Sequence, residues 1–431
     1  MKQTKSGIIN LERYLLYGMI LSMATYAIPF LRISTEEYIF PIGGLFIPLS
    51  CFLLLIRFFA FRKFILNKIL ILSLFLLYFS IPLSSFFSIN IETERIFKLS
   101  VFMLLPVLFT GVLTNYKSLK ISLYYIILIG LILAIYGFYG YFTGNVGDSP
   151  KQIWWWTYAR YWGIHYLPST RNSDIYYIAI PLLIALSLLF FGNLKSFLAK
   201  ISLISISLMF FMGIVLSFSR GALVSIVTTF IVLVLMFWKR QGISLRKGQR
   251  LKMIVITTII LSTVCFVSYY VLNYWGLYDY FIGKVVSILS PEKGSYYLQE
   301  SISNEERIEI LKATFRIIVS NPLGVGPGNL RYIYPHYGLY VNHPENSYLH
   351  LLAENGVFGF VGYLLFVFYP LVFLYKKIKG GDNDWVEIGM FLTLAYLATS
   401  YMFNVEVFSF YNWIIHSIIW CNITVNGGKN A

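Results

Sequence analysis

The stretch "HPENSYLHLLAENGVFGFVGYLLFVFYPLVFLYKKIK", residues 343–379, opens on polar groups, passes into an apolar run and stops on three lysines. About 20 apolar residues suffice to cross the hydrocarbon core as a helix. A lysine cluster directly after such a run marks the cytoplasmic edge of a span. The pattern recurs along the whole chain. Of 431 residues, 58% are hydrophobic and only 12% charged, against about 25% charged in a soluble domain. The expected fold is therefore all-α and polytopic, a single integral membrane domain over residues 1–431. It has about twelve spans, at 14–31, 38–60, 64–88, 97–114, 119–143, 175–192, 199–218, 221–238, 253–274, 347–375, 386–404 and 407–425. The first span lacks a small-residue cleavage site and reads as a retained anchor.

Charge sets the orientation. With the N-terminus cytoplasmic, the inner segments hold 20 of the 34 basic residues, six of them in "KRQGISLRKGQRLK" (239–252). The outer segments hold 13 basic residues beside 15 of the 19 acids. That asymmetry follows the positive-inside rule, and it places both termini in the cytoplasm. The net charge of +15 is thus a product of topology and calls for no nucleic acid. Cys51, Cys265 and Cys421 all fall inside spans, without metal-ligand spacing, and read as packing residues.

Two outer segments are long enough to carry function, 144–174 and 275–346. In the larger one, "SNEERIEILKATFRIIVS" (303–320) starts with Ser303 and Glu306 at capping-box spacing. Ile308, Leu311, Phe315 and Ile318 then recur at helical intervals, which predicts an amphipathic helix over the outer mouth of the bundle. Asn321-Pro322 ends it. Gly324, Gly326 and Gly328 follow and permit a tight turn with close backbone approach. "GVGPG" lacks the lysine of a P-loop and the strand–helix frame of a dinucleotide site.

Pro344 suits the first position of a helix, which makes His343 the expected cap and starts the tenth span near 344. Ser347, His350 and Glu354 then share one helical face with His343. Ionisable groups at membrane depth are costly and mark a site or pathway. A helix N-terminus favours anions and a neutral imidazole, which can accept a proton. A second signal is "LSFSRGALVS" (216–225), where Arg220 stands between two spans with almost no loop. An unpaired guanidinium is costly to bury, and its planar fork matches phosphate. Arg307 on the amphipathic helix, and Arg160 and Arg171 in the smaller outer loop, are further candidates. Trp154, Trp155, Trp156 and Trp162 crowd the boundary, as an interfacial belt or as stacking platforms for sugar rings.

Each signal has a structural alternative. Arg220 would then snorkel to headgroups, His343 only cap a helix, and Glu354 only pair with His350. His165, His336 and His416 read as structural. Neither a metal triad nor a glycosidase-like carboxylate pair is visible in the sequence.

Three segments together resemble the O-antigen ligase and O-antigen polymerase superfamily of bacterial envelope enzymes. "SFSRGA" (217–222) looks like that family's Ser-Arg-Gly motif at the outer end of a mid-chain span. "RIEILKATFRIIVSNPLGVGPGN" (307–329) is similar to its amphipathic periplasmic helix and Pro-Leu-Gly-x-Gly turn. "HPENSYLHLLAENGVFGF" (343–360) is similar to its His-x-x-Asn-Ser-x-Leu segment with a following Glu-x-Gly. The resemblance covers about residues 150–375. The first five spans match only in hydropathy.

The resemblance implies a GT-C-like, metal-independent, inverting glycosyltransferase of the bacterial inner membrane. It would need no cofactor and work on the outer face. Its donor would be an undecaprenyl-diphosphate-linked glycan. Its acceptor would be lipid A-core in a ligase, or another lipid-linked repeat unit in a polymerase. His343, Arg220 and Arg307 would be the catalytic residues, the arginines on the diphosphate and His343 on the acceptor hydroxyl. Arg160, Arg171, Ser219, Asn346, Ser347 and Glu354 would line the substrate site. The histidine after the amphipathic helix favours the ligase. A lipid-linked oligosaccharide flippase or other transporter fits twelve spans as well, but transporters place polar sites near the midplane in related halves, and no matching halves are seen here. A non-catalytic assembly subunit would leave the arginines and His343 without a purpose. The transferase reading requires Arg220, Arg307 and His343 to converge.

Overall fold

The computed structural model describes residues 11, 13–21, 32–34, 39–41, 49, 52, 66–113, 115–143, 175–216, 219–238, 298–380, 384–404 and 409–427. Eleven α-helices are bounded within them. They are α1 (Lys68–Phe86), α2 (Thr93–Val112), α3 (Tyr116–Thr143), α4 (Tyr176–Phe191), α5 (Phe197–Leu216) and α6 (Arg220–Trp238). Then come α7 (Leu298–Ser320), α8 (Leu330–Ile333), α9 (Ser347–Lys379), α10 (Trp385–Ser400) and α11 (Phe410–Gly427). Nine of the twelve expected spans thus carry a helix. The remaining three, 14–31, 38–60 and 253–274, lie mainly outside the described residues, although 13–21 are helical. Five of the described helices (α1, α2, α3, α5 and α9) are long and apolar enough to cross a membrane. A short antiparallel pair, β1 (Arg32–Ser34) and β2 (Ile39–Pro41), pairs Ile33 with Phe40. This hairpin is an addition to the all-α expectation.

Small residues set the packing. α9 lies along α1, where a Cβ on Gly362 would stand 2.8 Å from the Ser73 carbonyl and one on Gly359 2.8 Å from Ser80 Oγ. Ser73, Ser80 and Ser84 of α1 are fully buried, each hydroxyl donating to a carbonyl one turn back. Small groups of this kind let helices approach closely where lipid supplies no hydrophobic drive. α11 packs on α2, α4 on α5 and α10, and α6 on α10.

Connecting segments meet in two groups. At one end the Asn90 backbone exchanges two hydrogen bonds with the Asn329 side chain, and Ser347 bonds the 401–404 turn. At the other, Lys377 Nζ lies 2.8 Å from Glu387, Tyr116 donates to Glu387, and Lys120 stands 3.5 Å from Asp384. These are hereafter the motif end and the lysine end. Each group joins only segments expected on the same side of the membrane.

The amphipathic helix is longer than expected and rotated. α7 begins at Leu298, so Ser303 is internal rather than a cap. Its buried face is Ile310, Ala313, Thr314 and Ile317, whereas Ile308 and Phe315 are about half exposed. The buried face packs with Val325, Leu330, Tyr334 and Ala353 into a second small core, separate from that of the spans. Thr314 Oγ1 and Tyr334 Oη share a hydrogen bond of 2.7 Å within it. The helical period was right; the face was misassigned because α7 carries apolar residues on two sides.

Candidate functional site

The site is built on a broken helix. Gly356, inside α9, has φ 65° and ψ −169°, so the rod is interrupted between Asn355 and Val357. The break frees backbone groups that must find partners, and the glycine turn supplies them. Val325 N–H donates to Ala353 O at 3.0 Å and Gly326 N–H to Glu354 O at 2.9 Å. In return Val357 N–H donates to Pro322 O at 3.0 Å. A Cβ on Gly356 would lie 2.2 Å from the Leu323 carbonyl carbon, and one on Gly324 2.5 Å from Glu354 O. Gly324, Gly326 and Gly328 all adopt positive φ, a region side chains other than glycine rarely enter. The tight, close-approaching turn expected from these glycines is therefore present, and it grips the helix break.

The segment before α9 differs from expectation. The helix begins at Ser347, and its cap is Asn346, whose Oδ1 accepts from Leu349 N–H at 3.0 Å. The cap is thus Asn346 rather than His343, since Glu345, at φ 51°, turns the chain first. Asn346 also donates to Met402 O at 3.1 Å. Ser347 is fully buried; its N–H and hydroxyl donate into the 401–404 turn. The expected polar face holds: Ser347, His350 and Glu354 are all at most 1% exposed. His343 lies just outside this helix, with its ring centroid 6.4 Å from that of His350.

Side chains of two distant elements, α2 and α7, reach this region. His350 Nε2 sits 2.9 Å from Glu354 Oε2. Arg95 of α2 places Nη1 3.5 Å from Glu354 Oε1. Arg307 of α7 pairs with Glu345 at 2.8 Å. The His343 ring is open to solvent at the rim, yet enough protein surrounds it to disfavour a cation. That desolvation first, then His350, holds its pKa below the ordinary 6.5, against an opposing pull from Glu345. His343 is therefore neutral at pH 7.

The Ser-Arg-Gly segment reaches the same place. Ser219 is buried and its Oγ faces the Ala222 N–H at 3.4 Å, at the entry to α6. Arg220 is the first residue of α6; its side chain lies outside the described residues. A Cβ on the next residue, Gly221, would be 3.0 Å from Phe403 and 3.7 Å from the Asn404 amide nitrogen. Asn404 is also the residue whose carbonyl accepts from Ser347. The Gly221 position thus lies beside Asn404, which bonds Ser347, and side-chain contacts run from Arg307 through Glu345 to the His343 segment. Arg160, Arg171, His165 and the tryptophan cluster lie outside the described residues.

Two contributors escaped the sequence reading. Arg95 is an ordinary basic residue in "ETERIFK" (92–98), and nothing near it announces a partner at 354. Glu92 accepts from Tyr332 at 2.7 Å and pairs with Arg331. The Tyr332 bond first, then Arg331, holds its carboxyl below the usual range despite partial burial. His416 is buried with Nε2 3.0 Å from Tyr401 Oη, and Cys421 is fully buried, both in keeping with structural roles. Among the described residues no three His, Cys, Asp or Glu side chains cluster as a metal site would.

Residues 204–364 match the family model described as O-antigen ligase. That region is similar to the O-antigen ligase family. The matched stretch runs from α5 through the glycine turn to α9 and includes all three segments that converge at the motif end. With five described helices long and apolar enough to cross a membrane, the match supports a membrane protein related to the ligase/polymerase superfamily and, in broad terms, a glycosyltransferase-like enzyme. No curated protein matches the chain.

Proposed function

We propose that the chain transfers a glycan from undecaprenyl diphosphate to an acceptor hydroxyl at the outer face of the bacterial cytoplasmic membrane, as an O-antigen ligase does. The observation that carries this reading is the meeting of Arg307 and the glycine turn on residues 345–357, with Gly221 beside Asn404, the residue that bonds Ser347. In the reaction the acceptor oxygen bonds the anomeric carbon while the bond from that carbon to the diphosphate oxygen breaks. The hydroxyl proton passes to His343, which its lowered pKa keeps neutral and ready. The electron pair leaves with the lipid diphosphate. Arg220 and Arg307 meet the charge that develops there, and stabilising such charge is commonly the largest catalytic term. These arginines would do the work of a divalent cation, and attack opposite the leaving group inverts the anomeric centre.

Reconstitution tests this. The purified protein is given undecaprenyl-diphosphate-linked glycan and candidate acceptors in EDTA, beside His343→Ala. Transfer that persists in the chelator and collapses in the variant supports the reading, and product size separates single ligation from a polymer ladder. Translocation of the lipid-linked glycan without transfer would overturn it in favour of a transporter.

A further inference from the structure

The glycine turn has the look of an anion cradle. Successive backbone amides in a turn with alternating positive φ form concavities that bind phosphate and similar anions, and a lipid diphosphate is the proposed donor. The structure assigns the cradle elsewhere. Gly324 N–H is taken by Asn321 O, Val325 N–H by Ala353 O and Gly326 N–H by Glu354 O. A Cβ on Gly328 would stand 2.9 Å from Arg95 Cδ, so that glycine makes room for the arginine that reaches Glu354.

Glu354 itself is 0% exposed and cannot touch a substrate without the break in α9 coming apart. We propose that Glu354 is a positioning residue: its buried carboxylate is the anion that Arg95 and His350 converge on beside the glycine turn, and it holds the His350–His343 pair in place for acceptor activation. The turn's amides are engaged by the chain's own helix break, and the donor diphosphate is left to Arg220 and Arg307. This rests on the transferase reading above.

The geometry favours this over direct substrate contact for a further reason. Burying a carboxylate costs several kcal/mol unless charges and donors surround it. Here they come from α2 and from α9 itself, two elements far apart in sequence. The site's two sides are thereby tied through one side chain. His350 lies between that carboxylate and the rim, with the His343 ring 6.4 Å beyond it. Orientation of a base by a buried carboxylate through an intervening group is a recurrent arrangement.

The test uses the full-length protein in lipid nanodiscs with two readouts. For transfer, Glu354→Gln, Glu354→Asp and Arg95→Gln are compared with wild type. The expected result is a fall in kcat of about 100-fold for Glu354→Gln, the scale of an ångström-level misplacement. KM for donor and acceptor should stay near wild type, with kcat counted per folded molecule. Glu354→Asp, which keeps the charge, should recover part of kcat. Arg95→Gln combined with Glu354→Gln should be no worse than the poorer single variant. An unchanged kcat overturns the proposal, and so does a raised donor KM with kcat intact, which would make Glu354 a substrate ligand. The second readout needs no substrate: histidine labelling by diethyl pyrocarbonate, read by mass spectrometry. His343 should label in wild type and His350 resist, and Glu354→Ala should raise His350 labelling by about tenfold. Equal His350 labelling in both overturns the proposal even if no acceptor is found. Absence of transfer by wild type, with that labelling change present, would count against the transferase reading alone.

Discussion

Glu354 at the motif end and Glu387 at the lysine end are both buried acids beside a basic group. Their surroundings differ. Glu387 takes Lys377 from the end of α9 and Tyr116 from the start of α3, and the helices around it are continuous. Glu354 takes Arg95 and His350 at its carboxylate and the glycine turn at its backbone carbonyl, and the helix that bears it is broken two residues on, at Gly356. A carboxylate that only staples helices needs one cation and one hydroxyl. A carboxylate set among strained backbone, a second histidine and a third distant segment is in a place where strain is usually tied to function.

The comparison can be broken at several points. His343→Ala and Arg220→Ala should each lower transfer by about 10²–10⁴-fold with normal protein abundance on immunoblots. Loss of the protein instead would make the motif end as purely structural as the lysine end. Gly356→Ala should cost about 3 kcal/mol or more, since both the positive φ and the 2.2 Å approach to Leu323 resist a methyl group. A thermal-shift assay reads this, and a wild-type midpoint would mean the break is not needed. Glu387→Gln should cost about 1–3 kcal/mol in stability yet leave transfer per folded molecule unchanged. A drop in turnover there would erase the contrast between the two ends.

Two smaller effects depend on charge. Transfer should fall as pH drops through the His343 pKa, which lies below 6.5, because the base works only when neutral. A pH–rate profile with no fall on the acid side, down to the pH at which the protein itself unfolds, would exclude His343 as that base. Glu92 has the opposite bookkeeping for stability: its folded pKa is depressed, so its contribution is complete above its unfolded value of 4.5 and disappears as pH falls through the folded one. Glu345→Gln should change transfer by less than about fivefold, because its pair with Arg307 is more than 40% exposed on both sides and such pairs are worth about 0–1 kcal/mol.

Much of this was legible in the chain. Hydropathy and lysine placement locate nine helices within a few residues, since a bilayer demands apolar length and a sided charge. The polar face Ser347–His350–Glu354 followed from helical spacing. Three things were not legible. The cap moved from His343 to Asn346 because Glu345 takes a left-handed backbone that its residue type does not advertise. The buried side of α7 was misread because Ile308 and Phe315 have the same period as Ile310 and Ile317 and only tertiary packing chooses between them. Arg95 was invisible because its partner is remote in sequence, and long-range pairing leaves no local pattern.

The interruption at Gly356 divides α9 into a short upper piece, Ser347–Asn355, and a long lower one, Val357–Lys379. The lower piece alone is roughly 34 Å long at 1.5 Å per residue, enough for the hydrocarbon core by itself. Like a mast stepped below deck with a separate spar above, the two pieces answer to different loads. The turn bonds Ala353 and Glu354 above the joint and Val357 below it, so the span and the site are fastened to one and the same loop.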